Sequence, residues 1–130
     1  MIGQKDLTVL FVEDDEVLVK MYARQFEMEG VPSTHAKDGK SALDLLKIIK
    51  PGVILLDISL PDMDGFEVLK QIKSNPHIAN IPVIIMSNFS RPEDIEWGKK
   101  LGAQKFVEKA SLVPADIVDL IRSVQTQDNK

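Results

Sequence analysis

Short apolar runs, each closed by an acidic or polar residue, constrain this chain most. Residues 7–12 run into Glu13-Asp14, 53–56 into Asp57, 81–86 into Ser87, and Phe106-Val107 lies just before Lys109. A near-continuous apolar run reads as a strand buried on both faces, the mark of a parallel sheet covered by helices. Between the runs, apolar residues recur at helical spacing. Leu18, Met21, Tyr22 and Phe26 mark a helix over 16–29, with Gly30 as its stop. Ala42, Leu43, Leu46 and Ile49 mark a second over 40–49, ended by Pro51-Gly52. Phe66, Leu69 and Ile72 mark a third over 65–74, broken at Asn75-Pro76. A fourth over 92–101 is weakened at Gly98 by about 1 kcal/mol relative to Ala. A fifth over 113–125 carries Pro114 in its first turn and leaves 125–130 as a polar tail. The strands fall at 7–12, 31–36, 53–57, 82–86 and 104–108, the last patterned as an edge strand. Five strands alternating with five helices predict an α/β fold, a parallel sheet with helices on both faces and right-handed crossovers.

That architecture decides where chemistry can occur. Residues just past the C-terminal ends of parallel strands meet at one edge, where ligands bind. Glu13, Asp14, Asp57, Ser87 and Lys109 therefore converge, although they span about a hundred positions. Three carboxylates beside each other need a counter-charge. Mg²⁺ suits them: a hard cation held by one or two carboxylates, waters and a phosphate oxygen. A strand-end carboxylate such as Asp57 can attack phosphorus and form an acyl phosphate. The Lys109 ammonium and the Ser87 hydroxyl can each take a phosphoryl oxygen. Ser59, two residues past Asp57, is placed to complete a metal shell through its carbonyl. Asp15 and Glu16 read as helix N-terminal acids.

Composition narrows the class. The 130 residues carry a net charge of −4 and no cysteine. The charge argues against phosphate-backbone contact, so no direct nucleic-acid binding is expected. Without cysteine there is no disulfide framework and no thiolate metal site. No apolar run approaches the ~18 residues of a membrane span, and 1–6 lack the apolar core of a signal peptide. A cytoplasmic location is expected. His35 and His77 read as structural or solvated, so the chain has no obvious phosphohistidine of its own. Trp97 falls off the apolar stripe of the fourth helix, half-exposed toward the fifth strand and fifth helix.

As a set, these stretches resemble the receiver domain of two-component response regulators over essentially the full length. They are Val12-Glu13-Asp14, Leu56-Asp57 through Pro61-Asp62-Met63-Asp64-Gly65, Pro82-Val83-Ile84 through Ser87, and Gly102-Ala103 through Phe106-Val107-Glu108-Lys109. The resemblance implies a single receiver over 1–130 with a flavodoxin-like (βα)5 fold, a doubly wound five-stranded parallel sheet in the order 2-1-3-4-5. It implies Asp57 as phosphoacceptor from a sensor histidine kinase or phosphotransfer protein. Glu13, Asp14, Asp57 and Ser59 would form the Mg²⁺ (or Mn²⁺) site. Lys109 would be the phosphate partner, Ser87 the switch hydroxyl and Phe106 the switch aromatic. Ser59 and Phe89 would flank the path of the hydrolytic water and set the lifetime of the phosphorylated state. The output would be a changed surface of the fourth helix, fifth strand and fifth helix that controls a downstream protein. Such a domain is a phosphoacceptor and not an enzyme on a separate substrate, and it acts as a monomer or a weak phosphorylation-dependent dimer.

Three positions depart from the family pattern. Asn88 stands where a small residue is common, Phe106 where Tyr is familiar, and Ala110 where Pro is frequent. A cis bond at 109–110 would cost about 2.5–4 kcal/mol without proline. A phosphohydrolase with an aspartate nucleophile would carry a second acid two residues on, and Ser59 holds that position. No DNA-binding or catalytic output domain fits in 130 residues. Either this is a stand-alone receiver acting through protein contacts or it is a piece of a longer chain; Met1 and the short tail lean toward the first expectation.

Overall fold

The computed structural model describes residues 7–88 and 91–128. The elements are β1 (Val9–Val12), α1 (Glu16–Met28), β2 (Ser33–Ala36), α2 (Gly39–Leu45), β3 (Val53–Asp57), α3 (Gly65–Ser74), β4 (Val83–Ser87), α4 (Pro92–Leu101), β5 (Lys105–Glu108) and α5 (Pro114–Asp128), with a 3-10 turn at Lys109–Ser111. All strand pairings are parallel, in the order β2-β1-β3-β4-β5. This is the flavodoxin-like (βα)5 arrangement.

The uniformly apolar strands are divided residue by residue between two cores, because successive side chains leave opposite faces of a sheet. Val9, Phe11, Val53, Leu55, Ile84 and Met86 pack with Tyr22 and Phe26 of α1 and Ile117, Ile121 and Val124 of α5. Leu10, Val12, Ile54, Leu56, Val83 and Ile85 pack with Ala42 of α2 and Val68, Leu69 and Ile72 of α3. Phe11 anchors the first layer, stacked on Tyr22 at 5.2 Å between ring centres and edge-on to Phe26. Both faces are thus filled, and only the sheet edges meet solvent.

Two helices differ from the periodicity. The second is α-helical only to Leu45, and the chain then tightens into i→i+3 bonds at Lys47 and Ile48, from their N–H groups to the Asp44 and Leu45 carbonyls. Lys50 precedes Pro51, and a residue before proline is pushed out of the helical region. The fifth helix reaches Asp128 and is not a polar tail from residue 125. It has no Gly or Pro stop signal there, and its packed stripe ends only at Val124. Among the described residues no helix is long and apolar enough to cross a membrane.

Candidate functional site

The two-residue alternation that fills the cores also assembles the site. Val9 and Phe11 face the α1–α5 layer, and the same alternation carried past the end of β1 brings Glu13 to that side. Val53 and Leu55 do the same for Asp57, and Val107 for Lys109. Lys109 Nζ lies 2.8 Å from Glu13 Oε1 and 3.1 Å from Asp57 Oδ2. One ammonium therefore bridges two acids that are only 1% and 3% exposed. The exposed Asp14 completes the cluster: one oxygen each of Glu13, Asp14 and Asp57 lie within 4.8 Å of one another.

The charges do not balance. Three ionised carboxylates against one ammonium leave two negative charges. Burial pushes the Glu13 carboxyl up, Asp57 adds to the rise, and Lys109 opposes it. Burial works against the Lys109 ammonium, but the Glu13 and Asp57 carboxylates outweigh it and the net shift is upward. Glu13 Oε1 is buried with no partner beyond the Lys109 ammonium at 2.8 Å. A buried carboxylate oxygen with spare lone pairs in a doubly negative cluster fits a hard divalent cation.

Backbone donors orient the acids. The Ser59 N–H donates to Asp57 Oδ1 at 3.0 Å, and the Asp15 N–H to Glu13 Oε2 at 3.1 Å. Asp15 itself caps α1, accepting from the N–H groups of Val17 and Leu18. It therefore belongs to the helix and not to the acid cluster, as its position predicts.

Ser87 closes β4 on the opposite alternation, with Val83 and Ile85, and is 2% exposed. It lines a pocket between α3 and α4. Phe106 is half-buried on the same side of the sheet, against the α2–α3 core, and lines a smaller groove between α4 and β5. Phe89 lies outside the described residues. Among the described residues no peptide bond is cis.

Three side chains take places that residue-by-residue reading missed. His35 is not remote from the site: its Nε2–H donates to the Glu13 carbonyl at 2.7 Å and steadies the acid-bearing turn. No spacing in the sequence marks it, because the contact follows from the β1–β2 register that sets His35 opposite Phe11. Trp97 does not face β5 and α5. It lines the α3–α4 pocket with Ile58, Ser59 and Phe66, because Arg91, Asp94 and Trp97 share one stripe at three-residue spacing. Asp62 binds the α2 N-terminus, accepting from Gly39 N–H at 2.8 Å and Lys40 N–H at 2.9 Å. Those two donors hold its carboxyl below the usual range. The loop that follows Asp57 is thus pinned at Asp62 to α2 and at Asp64 to α3, whose Phe66 N–H it caps at 2.8 Å.

A comparison with known families agrees with this geometry. The family model for the response regulator receiver domain matches residues 9–122. The chain belongs to the response regulator receiver family. The receiver is 33% identical over 116 residues to the polar-differentiation response regulator DivK of Brucella anthropi, covering 89% of this chain and 94% of that one. It is 46% identical over 79 residues to a probable cyclic di-GMP phosphodiesterase of Vibrio cholerae, a match that covers 61% of this chain and only 18% of that longer protein. Among solved structures, the receiver domain of the Francisella response regulator 1452 superposes with a TM-score of 0.85 at 29% identity, over 93% of this chain and 98% of that one. The Mn²⁺-bound form of response regulator Rcp1 superposes with a TM-score of 0.76 at 26% identity, over 92% and 90%. The receiver is therefore a two-component signalling module.

Proposed function

We propose that residues 1–130 form a single phosphorelay receiver whose phosphoacceptor is Asp57. The observation that carries this reading is the Asp57–Lys109–Glu13 bridge at the C-terminal edge of the sheet. Asp57 supplies the nucleophilic oxygen. It attacks the phosphorus of a phosphohistidine on a sensor kinase or phosphotransfer protein; the P–N bond breaks and the P–O bond of an acyl phosphate forms. Glu13, Asp14 and Asp57, with the Ser59 carbonyl, would hold a divalent cation, Mg²⁺ or Mn²⁺, which would supply positive charge against the phosphoryl oxygens. The solved Mn²⁺-bound form of Rcp1 supports such a site by similarity.

Lys109 has a second task. Before transfer it compensates Glu13 and Asp57; after transfer Asp57 carries the phosphoryl group, and the ammonium takes one of its oxygens. Ser87 turns its hydroxyl to another oxygen, and Phe106 on the adjacent strand follows the vacated space. The surface of α4, β5 and α5 then changes, and a downstream protein reads it. The only chemistry is formation and loss of the chain's own acyl phosphate, in the cytoplasm, by a monomer or a weak phosphorylation-dependent dimer. Ser59, two residues past Asp57, is small and leaves water access to the acyl phosphate open.

The test is structural response to phosphorylation. Amide shifts of residues 83–87 and 105–109 are followed while Mg²⁺ and a small phosphodonor are added. Coherent shifts in the parent and none in Asp57→Asn support the switch. Equal shifts in both refute it.

A further inference from the structure

The α3–α4 pocket opens beside the acid cluster and shares only Ser59 and Ser87 with the chemistry above. It has a volume of about 600 Å³. One wall is the α4 stripe of Arg91, Asp94 and Trp97; the other is Ser59 and the start of α3, and Ser87 lies at its base. Trp97 leaves 49% of its surface exposed here, an unusual position for a large apolar ring.

The charge around the ring is one-sided. Asp64, Glu93 and Asp94 line the pocket against Arg91 alone, leaving two negative charges. Arg91 Nε is already held by Asp94 at 3.0 Å, and Asp64 caps Phe66. Glu93 has no hydrogen bond or ion pair among the described residues. The groove on the other side of α4 has the opposite character: Lys99 and Lys105 line it without an acid. An exposed indole face attracts a cation, and Trp with Arg makes the strongest anchors at protein interfaces. Carboxylates around that face reject phosphate-bearing ligands and favour a guanidinium or ammonium.

We infer that this pocket docks a basic segment of a protein partner, with an Arg or Lys side chain laid on the Trp97 ring and its charged head at Glu93. Ser59 and Ser87 join the pocket to the neighbourhood of Asp57, so an occupant would abut the phosphoryl site. The inference does not depend on the phosphoacceptor reading, because the docking surface exists in the unmodified protein.

Trp97 is the only tryptophan of the chain, so its emission reports occupancy directly. The unphosphorylated full chain is titrated with a capped Arg-Ala-Ala-Arg peptide and with its Glu-Ala-Ala-Glu counterpart, and amide shifts are recorded in parallel. The expected result is a saturable change in Trp97 emission with the basic peptide only, and shifts concentrated at 58–66 and 91–97. Glu93→Lys should weaken binding about tenfold, a loss of ~1.4 kcal/mol. Glu27→Lys makes the same change of net charge on α1 and should leave affinity within about twofold, since distant exposed charges are screened. Trp97→Leu, followed by amide shifts, should weaken binding as Glu93→Lys does. Equal losses in the two Lys variants, shifts spread over the acidic surface, or no saturation with the basic peptide would each overturn the assignment.

Discussion

Replacing Gly65 with Ala perturbs the site through the backbone alone. Gly65 opens α3, where Ala is the better helix former by about 1 kcal/mol. A Cβ there would lie 2.4 Å from Ile58 Cα and 2.5 Å from the Asp57 carbonyl oxygen. Ordinary heavy-atom contacts sit at about 3.5–4.0 Å, so something must retreat by roughly 1 Å. Both obstacles are backbone, and no rotamer change relieves them. The Gly65 N–H to Ile58 carbonyl bond, 2.9 Å, is stretched by the same movement. Overpacking of this kind costs up to about 3 kcal/mol. Set against the propensity gain, the net loss is about 2 kcal/mol. At ~2.1 cal/mol/K per residue, that lowers Tm by roughly 7 °C. The displaced residues carry Asp57, and a misplacement of about 1 Å can cost on the order of a hundredfold in rate. Thermal unfolding and the rate of acyl-phosphate formation from a small phosphodonor measure the two effects. Gly98→Ala is the contrast: its Cβ would meet the Ile85 Cδ1 at 3.0 Å and the Phe106 ring at 3.4 Å, side chains that can give. It should stay within about 1 kcal/mol of the parent, since the gain in helix propensity offsets the crowding. A Gly65→Ala variant that is more stable than the parent and phosphorylates at the parental rate would refute the close approach of α3 to Asp57.

Three further outcomes follow from the cluster. Asp14→Ala should abolish divalent-cation binding seen by calorimetry, whereas Asp15→Ala should leave it and cost about 1 kcal/mol of stability through the lost cap. Lys109→Met strands Glu13 and Asp57 without their counter-charge. Denaturant unfolding without metal should show a loss of about 3 kcal/mol, partly restored by Mg²⁺, and phosphorylation should slow. The raised Glu13 carboxyl means that the folded protein holds that proton to higher pH than the unfolded chain. Its contribution is complete below the ordinary carboxylate range and is lost as pH rises through the folded value. Without metal, Tm should therefore fall across that window. Mg²⁺ should oppose the fall, because it binds only the ionised cluster. Tm recorded against pH with and without Mg²⁺ checks the sign.

Much of the fold was legible because the strand signal here is strong. Residues 53–57, 65–74 and 92–101 form the elements read from the sequence with the same limits, since each is bounded by Gly, Pro or a capping acid. The acids and Lys109 were legible for a topological reason: strand ends in a parallel sheet share one edge. The direction each side chain takes from that edge was not read. It lay in the two-residue alternation, which sends Glu13, Asp57 and Lys109 to one side and Ser87 to the other. His35 and Asp62 act across chain segments, through a register and a helix N-terminus, and no local spacing reports such contacts. The side on which Trp97 lies was not legible from the apolar stripe of α4, because the ring belongs to the neighbouring stripe with Arg91 and Asp94.

If Asp57 takes a phosphoryl group with the help of a divalent cation, intact-mass measurement after incubation with acetyl phosphate, followed by peptide mapping, should show one phosphoryl group per chain, on Asp57, formed with Mg²⁺, suppressed by a chelator and absent from Asp57→Asn. Full modification of the Asp57→Asn protein, or modification of the parent that ignores the chelator, would contradict it.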